Sequence, residues 1–287
     1  MYLLLSILFS SIINVVFKLF PKYGIDNRQA ISVNYLTCVA VGLLTSNSID
    51  FISAGLFQES WVQIALALGI LFIVVFVGMA VTAQKMGISV SVIAAKMGVV
   101  FPVLYAFFFL HEAANTMLVL GILLSLLSIY FVTQKEHLHL EKKHLLMPIL
   151  VLLGSGVIDT TLKIIEQKIP DNYPMALPSI IIFSMAGLVG TTISTFQYLG
   201  KKSAFAFKNV LAGIVLGIPN YFSIYFLFRS LQNNFFKTTQ IYPLNNIGVV
   251  LLSTLLALVF FREKLSIKNW LGIAFAVISI LLIGGLI

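Results

Sequence analysis

Charged side chains stand inside stretches of this chain that are otherwise apolar. The clearest case is Lys96, eight residues into an apolar stretch over 88–110. At 1.5 Å per residue in a helix, Lys96 is about 12 Å from the start of that stretch. A lysine at the centre of a bilayer costs about 2.5–3.5 kcal/mol. We therefore predict that Lys96 contacts an anionic or carbonyl group of a substrate, or carries a coupling proton. The alternative is a structural ion pair with another helix.

Three further charges form a group in the apolar stretch over 146–167. Lys163 follows Asp159 by four residues and precedes Glu166 by three, and these spacings place all three on one helix face. The spacing predicts an ion pair within the helix, and Asp159 is also a candidate proton carrier. Lys18 lies near the end of the first apolar stretch, just before Pro21, from where it can extend to the lipid headgroups. These four residues are candidates for coupling or for ion pairing.

Uncharged polar side chains also enter apolar stretches, and prolines accompany them. Pro219 and Pro243 each free a backbone carbonyl, which a cavity can satisfy and lipid cannot. Together with Lys96, the predicted substrate contacts are Asn14, Asn220, Tyr221, Tyr242, Asn245 and Asn246. The alternative role for each of them is a hydrogen bond between packed helices.

The apolar stretches dominate the composition. Hydrophobic residues make up 60% of the chain and charged residues 10%, whereas soluble proteins have about 25% charged residues. A membrane-spanning helix needs about 20 apolar residues. The sequence therefore predicts an all-α integral membrane protein with ten transmembrane helices, at about 2–20, 29–46, 61–83, 88–110, 115–133, 146–167, 177–199, 210–231, 238–261 and 267–287.

Markers in the first five spans recur in the same order in the last five. Glu112 and Gly121 recur 151 residues later as Glu263 and Gly272. Gly98 recurs as Gly248, at an offset of 150, and the segments that begin at Asn14 and at Asp159 correspond at an offset of 145. Because each half has an odd number of spans, the second half must enter the membrane from the opposite side. This predicts two inverted five-helix repeats, 1–134 and 146–287, joined by a basic loop over 135–145.

Inverted repeats are typical of secondary transporters, whose binding sites lie near the midplane where the repeats meet. The fifth and tenth spans carry few polar residues, which predicts a peripheral position for both. Gly213 and Gly217 have the spacing of a close helix–helix contact.

Basic residues are unevenly distributed between the two sets of loops. Loops after odd-numbered spans contain Lys22, Arg28, Lys85, Lys135, Lys142, Lys143, Lys201, Lys202, Lys208, Arg262, Lys264 and Lys268. Loops after even-numbered spans contain at most Lys168, Arg229 and Lys237. Basic loops remain cytoplasmic, so both termini are predicted to lie outside the cytoplasm, in a multi-pass protein of the inner (plasma) membrane.

Metal, cofactor and nucleic-acid functions find little support. His137, His139 and His144 stand beside Glu136 and Glu141, but their spacing matches no common zinc motif, so we interpret this loop as a solvated linker. No glycine-rich phosphate-binding motif is present, and no apolar span contains a histidine. We therefore predict no metal, no cofactor, no nucleic-acid partner and no enzymatic activity.

With these markers, the chain resembles the EamA-type transporters of the drug/metabolite transporter superfamily. The similarity covers nearly the whole chain and includes a glutamate after the fourth span of each half, with a glycine nine residues later, and the link Ala83–Ser89. The resemblance implies a ten-helix inverted-repeat fold, alternating access and transport of small metabolites. Relatives with four spans use a glutamate in the first span for proton coupling, whereas this chain has Asn14 in that region.

The sequence thus predicts a secondary transporter of a small polar metabolite, with export the favoured direction. The excess of buried lysines over carboxylates favours an anionic or zwitterionic substrate, such as an amino acid. A flippase for a lipid or a lipid-linked sugar, with the same fold, is the alternative. Membrane lipid is an expected partner, and a proton or another ion is a candidate for coupling. Homodimer formation is left open.

Overall fold

The computed structural model describes residues 1–46, 48–109, 116–133, 142–170, 173–174, 176–200, 206–231, 238–283 and 285–286, and its regular elements there are all helical. Eleven α-helices are present in these ranges: α1 Tyr2–Leu19, α2 Asn27–Thr45, α3 Ser60–Met86, α4 Ile88–Lys96, α5 Val100–Phe109, α6 Thr116–Thr133, α7 Lys142–Lys168, α8 Leu177–Leu199, α9 Phe207–Leu231, α10 Thr238–Phe261 and α11 Ile267–Ile283. Short 3₁₀ turns join several of them.

Helices occur at all ten predicted spans, with one difference. The predicted continuous span over 88–110 is broken into α4 and α5 by a 3₁₀ turn, Met97–Val99. Six helical segments in the described part are long and apolar enough to cross a membrane, and three shorter ones are also apolar. The six are Tyr2–Tyr23, Ser60–Met86, Thr116–Thr133, Leu177–Leu199, Phe207–Leu227 and Leu244–Phe261. The chain is therefore an all-α, multi-pass membrane protein.

The helix neighbours in the two halves of the chain correspond. α1 packs on α9 and α10, and α7 packs on α3 and on the α4–α5 segment. α2 packs on α9, and α8 packs on α3. α6 and α11 pack mainly on each other, at the edge of the bundle, in the position predicted for the fifth and tenth spans.

Glycines allow the closest of these contacts. A β-carbon on Gly217 would lie 2.7 Å from the Asn34 carbonyl oxygen, and Gly213 meets Ala30 in the same way, which confirms the predicted close contact at this pair. Gly121 and Gly272 lie at opposite ends of the α6–α11 interface. A β-carbon there would lie 2.8 Å from Ile283 Cγ1 and 2.7 Å from the Val132 nitrogen, respectively. Both glycines that follow the marker glutamates are therefore packing positions.

Side-chain contacts define two ends of the bundle. At one end, which we call the basic end, the end of α1 contacts the end of α3, and Lys208 Nζ donates to the Tyr23 carbonyl at 3.1 Å. At the other end, the far end, the start of α3 meets the α7–α8 connection through Trp61 and Tyr173, and the start of α1 meets the end of α9 through Tyr2 and Phe226.

Candidate functional site

The break between α4 and α5 lies directly after Lys96. Lys96 is the last residue of α4, and the 3₁₀ turn Met97–Val99 follows it. Gly98, in that turn, packs against the backbone of α7, where its β-carbon would lie 2.7 Å from the Gly156 nitrogen. No side chain would fit between the two backbones. The close approach therefore fixes the position of Lys96 relative to α7.

Helix α7 carries Asp159 next to its contact with the Met97–Val99 turn. Ser155 and Gly156 form the contact with Gly98, and a β-carbon on Gly156 would overlap the Phe101 ring of α5. Asp159 follows Gly156 by three residues and Ser155 by four, so it lies on the same face of α7. Two glycines on facing helices thus direct a carboxylate toward the segment that carries Lys96.

Lys96 and Asp159 form a separated pair of opposite charges. Each is within electrostatic range of the other. The two side chains do not form a direct ion pair in the described part, where Lys18 with Glu263 is the pair that does. Neither side chain is closed off: Lys96 is half-buried and Asp159 is exposed. The two opposite charges therefore interact without direct contact, and both retain accessible surface.

Helices α1 and α10, which pack on each other, both carry amide side chains. Asn14 is 3% exposed and its Nδ2 donates to the Ser10 carbonyl at 3.1 Å, while its Oδ1 has no partner among the described residues. Asn245 is equally buried, and its Oδ1 also has no described partner. Asn246 is half-buried. Because buried polar atoms are normally hydrogen-bonded, Asn14 and Asn245 have capacity for a water or a ligand.

Asn220 and Tyr221 have hydrogen-bond partners in a neighbouring helix. Asn220 Nδ2 donates to Asn34 Oδ1 at 3.2 Å, and the Tyr221 hydroxyl lies 2.6 Å from Thr45 Oγ1. Both partners belong to α2. These contacts match the alternative predicted for the two residues, a hydrogen bond between packed helices.

Lys18 forms an ion pair, one of the two roles predicted for it. Instead of extending toward headgroups, its Nζ donates to the Ala83 carbonyl at 2.9 Å and forms an ion pair with Glu263 Oε1 at 3.1 Å. Glu263 Oε1 also accepts from the Ile88 nitrogen, at the start of α4, at 3.1 Å. The Glu263 carboxylate lies just after the end of α10. It interacts favourably with the positive, N-terminal end of the α4 helix dipole. We call Lys18, Glu263 and the α4 N-terminus the basic-end clamp.

The residue between α3 and α4 allows the clamp to form. Gly87 has φ +109°, a conformation that side chains rarely adopt, and its β-carbon would lie 2.8 Å from Glu263 Oε2. A cavity of about 90 Å³ adjoins the clamp and is lined by polar groups that include Ser89 and Asn269. The clamp therefore ties together the ends of α1, α3 and α10 and the start of α4.

Some predicted residues lie outside the described part. The side chains of Tyr242, Lys163 and Glu166 are outside it, and so are Glu112 and most of the loop over 135–145. The predicted ion pair of Asp159 with Lys163 or Glu166 therefore stays a prediction. Within the described residues, no three His, Cys, Asp or Glu side chains come together as metal ligands.

The chain is similar in sequence to a known bacterial protein. No family model matches it. A protein of Haemophilus influenzae (strain ATCC 51907 / DSM 11121 / KW20 / Rd), described as uncharacterized, is 31% identical over 289 residues, which cover 97% of this chain and 95% of that protein. The chain belongs to the same family as that protein. Because the match runs over nearly the full length of both, the relationship includes the whole helical bundle.

A solved crystal structure shares the fold of this family member. It is 15% identical, with a TM-score of 0.60, and the match covers 98% of this chain and 99% of the other. At that identity the similarity concerns the arrangement of helices alone.

Sequence reasoning missed two parts of this site. Glu263 was recognised as a repeated marker, but its contact with Lys18 and the α4 N-terminus was not predicted. Gly156 was not singled out either, although the Gly154-x-Gly156 pattern three residues before Asp159 was a visible sign of a close helix contact. Both contacts join residues more than 50 positions apart, so no local pattern contains them.

Proposed function

We propose that this protein is a secondary transporter of a small zwitterionic metabolite, of the amino-acid type. The observation that carries the proposal is the separated pair Lys96 and Asp159, two accessible opposite charges on helices that pack against each other. A substrate carboxylate would bind the Lys96 ammonium, and a substrate ammonium would bind the Asp159 carboxylate. Free charges within a membrane are expensive and are a functional site by default.

The separation of the two charges distinguishes this arrangement from a structural ion pair. A pair that only stabilises the bundle gains most when its atoms are in contact, because direct contact offsets the cost of removing both charges from water. Lys96 and Asp159 are near enough to interact but form no direct ion pair. A zwitterion between them would complete both contacts. Unpartnered oxygens on Asn14 and Asn245 supply further hydrogen-bond capacity.

The fold we propose is two inverted five-helix repeats that cross the membrane ten times. The corresponding neighbours of the two halves support it, because exchange of α1 with α7, α2 with α8, α3 with α9, α4–α5 with α10 and α6 with α11 preserves the main contacts. A helix broken beside the binding residues is also typical of transporters with inverted repeats. In this scheme α4 and α5 form one crossing.

We further propose that the basic end faces the cytoplasm of a cell with this protein in its inner membrane. Lys18, Lys22, Lys85, Lys208 and Lys264 all belong to helix ends or loops on that side, and basic loops remain cytoplasmic. Both termini then lie on the other side. The basic-end clamp would close the cytoplasmic entrance in this conformation, and alternating access would require it to open.

The proposed direction of transport is export, and a proton or another ion is the candidate coupling partner. The chain has Asn14 where four-span relatives of the EamA-type transporters have a coupling glutamate, so a coupling proton would need another carrier. Asp159 is the described carboxylate nearest to the proposed substrate and is the candidate to exchange a proton. No catalytic step is part of this proposal.

Ligand binding to purified protein in detergent tests the proposal. Amino acids, simple carboxylates, simple amines, hydrophobic cations and lipids are added separately, and thermal unfolding is followed for the natural sequence and for Lys96→Met. A ligand specific to the folded state raises stability by about 2.7 kcal/mol at a hundredfold excess over its dissociation constant. We expect amino acids to stabilise the natural sequence and Lys96→Met to lose this effect.

Lys22→Gln is the matched control, since it removes one exposed cation at the basic end without touching α4 or α7. It should retain the stabilisation. If hydrophobic cations alone stabilise the protein, or if Lys96→Met folds and keeps the amino-acid effect, the proposed substrate class is wrong. Stabilisation by lipids alone would favour the flippase alternative.

A further inference from the structure

A groove on the surface of the bundle lies apart from the proposed substrate site. It has a volume of about 270 Å³ and is bordered by α2, α3, α7 and α8. Its mouth is on the outer surface of the bundle, because Val74 and Ile193 in its wall are 46% and 43% exposed. In a membrane protein this surface faces lipid. The groove is therefore open to the hydrocarbon layer.

The wall of the groove offers almost no free hydrogen-bonding groups. Ser32 is the uncharged polar side chain in the lining, and its hydroxyl already donates to the Arg28 carbonyl at 2.7 Å and lies 3.2 Å from Ser194 Oγ. Gly78 and Gly190 add depth because neither has a side chain. What remains for contact is aliphatic surface, contributed for example by Val77 and Leu150. This surface fits a hydrocarbon chain and offers nothing to a polar metabolite.

A permanent cation stands at one end of the groove. Arg28 is exposed in the first turn of α2, at the basic end. Its backbone nitrogen bonds Asp26, but its guanidinium has no ion pair or hydrogen bond with any described residue. Arginine remains charged at all relevant pH values and binds phosphate oxygens in a two-point geometry. An apolar groove that ends at a free arginine is complementary to a molecule with a phosphate head and an acyl tail.

We propose that this groove is a binding site for one anionic phospholipid, with its phosphate on Arg28 and part of an acyl chain along Val74 and Val77. The basic end is the end where anionic lipid is attracted to the protein, and basic pockets between transmembrane helices bind such headgroups. The lipid contacts α3 and α7, two helices that also position the substrate site and the clamp. This site does not depend on the transport proposal, because it requires only a protein embedded in the membrane.

Two substitutions test the two halves of the site. Arg28→Gln removes the charge, and Val74→Phe fills the groove from an exposed position that tolerates a larger side chain. Lys22→Gln and Ile70→Phe are the controls: the first removes a neighbouring cation, and the second adds a ring one turn earlier on α3, 45% exposed and outside the groove. Binding of phosphatidylglycerol and phosphatidylcholine is counted by native mass spectrometry and followed by thermal unfolding in detergent.

We expect the natural sequence and both controls to retain phosphatidylglycerol in preference to phosphatidylcholine. Arg28→Gln should weaken phosphatidylglycerol binding about tenfold, the effect of losing a charge-assisted hydrogen bond, and Val74→Phe should weaken both lipids. The proposal is overturned if either variant binds phosphatidylglycerol like the natural sequence, or if Ile70→Phe loses as much as Val74→Phe. A change of oligomeric state in Val74→Phe, with lipid binding intact, would assign the groove to a second copy of the chain.

Discussion

The two halves of the molecule use the same crossing of helices with different side chains. In one crossing, the α4–α5 segment packs on α7 and carries Lys96 opposite Asp159. In the other crossing, α10 packs on α1. Asn246 on α10 corresponds to Lys96 at an offset of 150 residues, and Asn14 on α1 corresponds to Asp159 at an offset of 145. One crossing therefore has two charges, whereas the other has two amides.

The backbone differs in the same way. The first crossing is broken by the turn Met97–Val99, whereas α10 continues as one helix through Gly248. A β-carbon on Gly98 would meet the backbone of α7, whereas the three atoms nearest to a β-carbon on Gly248 all belong to the side chain of Ile7. The charged crossing is thus also the more tightly packed one. The crossing with two opposite charges is therefore also the one in which two backbones meet directly.

Neutralisation of the charged crossing should have the largest effect. Lys96→Met and Asp159→Asn should each weaken amino-acid binding by about 2–5 kcal/mol, the range for removal of one member of a buried charge contact. The double variant should also fail to bind, although it should unfold at a higher temperature than either single variant, because no unpaired charge remains inside the bundle. Thermal unfolding with and without ligand measures both quantities. Recovery of binding in the double variant would show that the two charges serve only the fold.

Substitution of the two corresponding glycines, Gly98 and Gly248, should have the second-largest effect. Gly98→Ala forces apart two backbones and should lower the free energy of unfolding by about 1–3 kcal/mol, the usual cost of overpacking. Gly248→Ala should cost less, because the Ile7 side chain can change rotamer. Unfolding of both variants, measured side by side in the same detergent, gives the order. Equal losses would mean that the two crossings are equally rigid.

Loss of the basic-end clamp should have a moderate effect. Glu263→Gln removes the charge that pairs with Lys18 and weakens the hydrogen bond from the Ile88 nitrogen, so we expect a loss of about 1–2 kcal/mol in the free energy of unfolding. Asp50→Asn, an exposed carboxylate toward the far end, is the control and should change little. An exposed cysteine reporter introduced at the basic end should also react faster in Glu263→Gln. An unchanged reaction rate would argue against a closing role for this contact.

Substitution of an amide in the crossing of α1 and α10, which we call the amide crossing, should have the smallest effect. Asn246→Ala removes a neutral hydrogen-bonding group and should weaken amino-acid binding by about 0.5–1.5 kcal/mol. The same thermal-unfolding titration measures this change. An effect as large as that of Lys96→Met would mean that the amide crossing, rather than the charged one, holds the substrate.

Much of the fold was predictable because each helix must satisfy its own backbone within lipid. A helix that crosses lipid therefore appears in the sequence as a long apolar stretch. The observed ends of α8 and α10 are the same residues as the predicted ends. The break at Met97–Val99 was not predictable in this way. A 3₁₀ turn retains apolar side chains and local hydrogen bonds, so the hydrophobicity of the span does not change there.

The sequence by itself determined that the chain is helical and membrane-embedded, and that Lys96 needs a polar environment, because these follow from the cost of exposing backbone and charge to hydrocarbon. Only the tertiary structure decided which groups provide that environment. Asp159 lies within electrostatic range of Lys96, although the two residues are 63 positions apart, and Lys18 pairs with Glu263 near the other end of the chain. Helix periodicity fixes the face of a side chain, whereas the partner depends on which glycines let two helices approach.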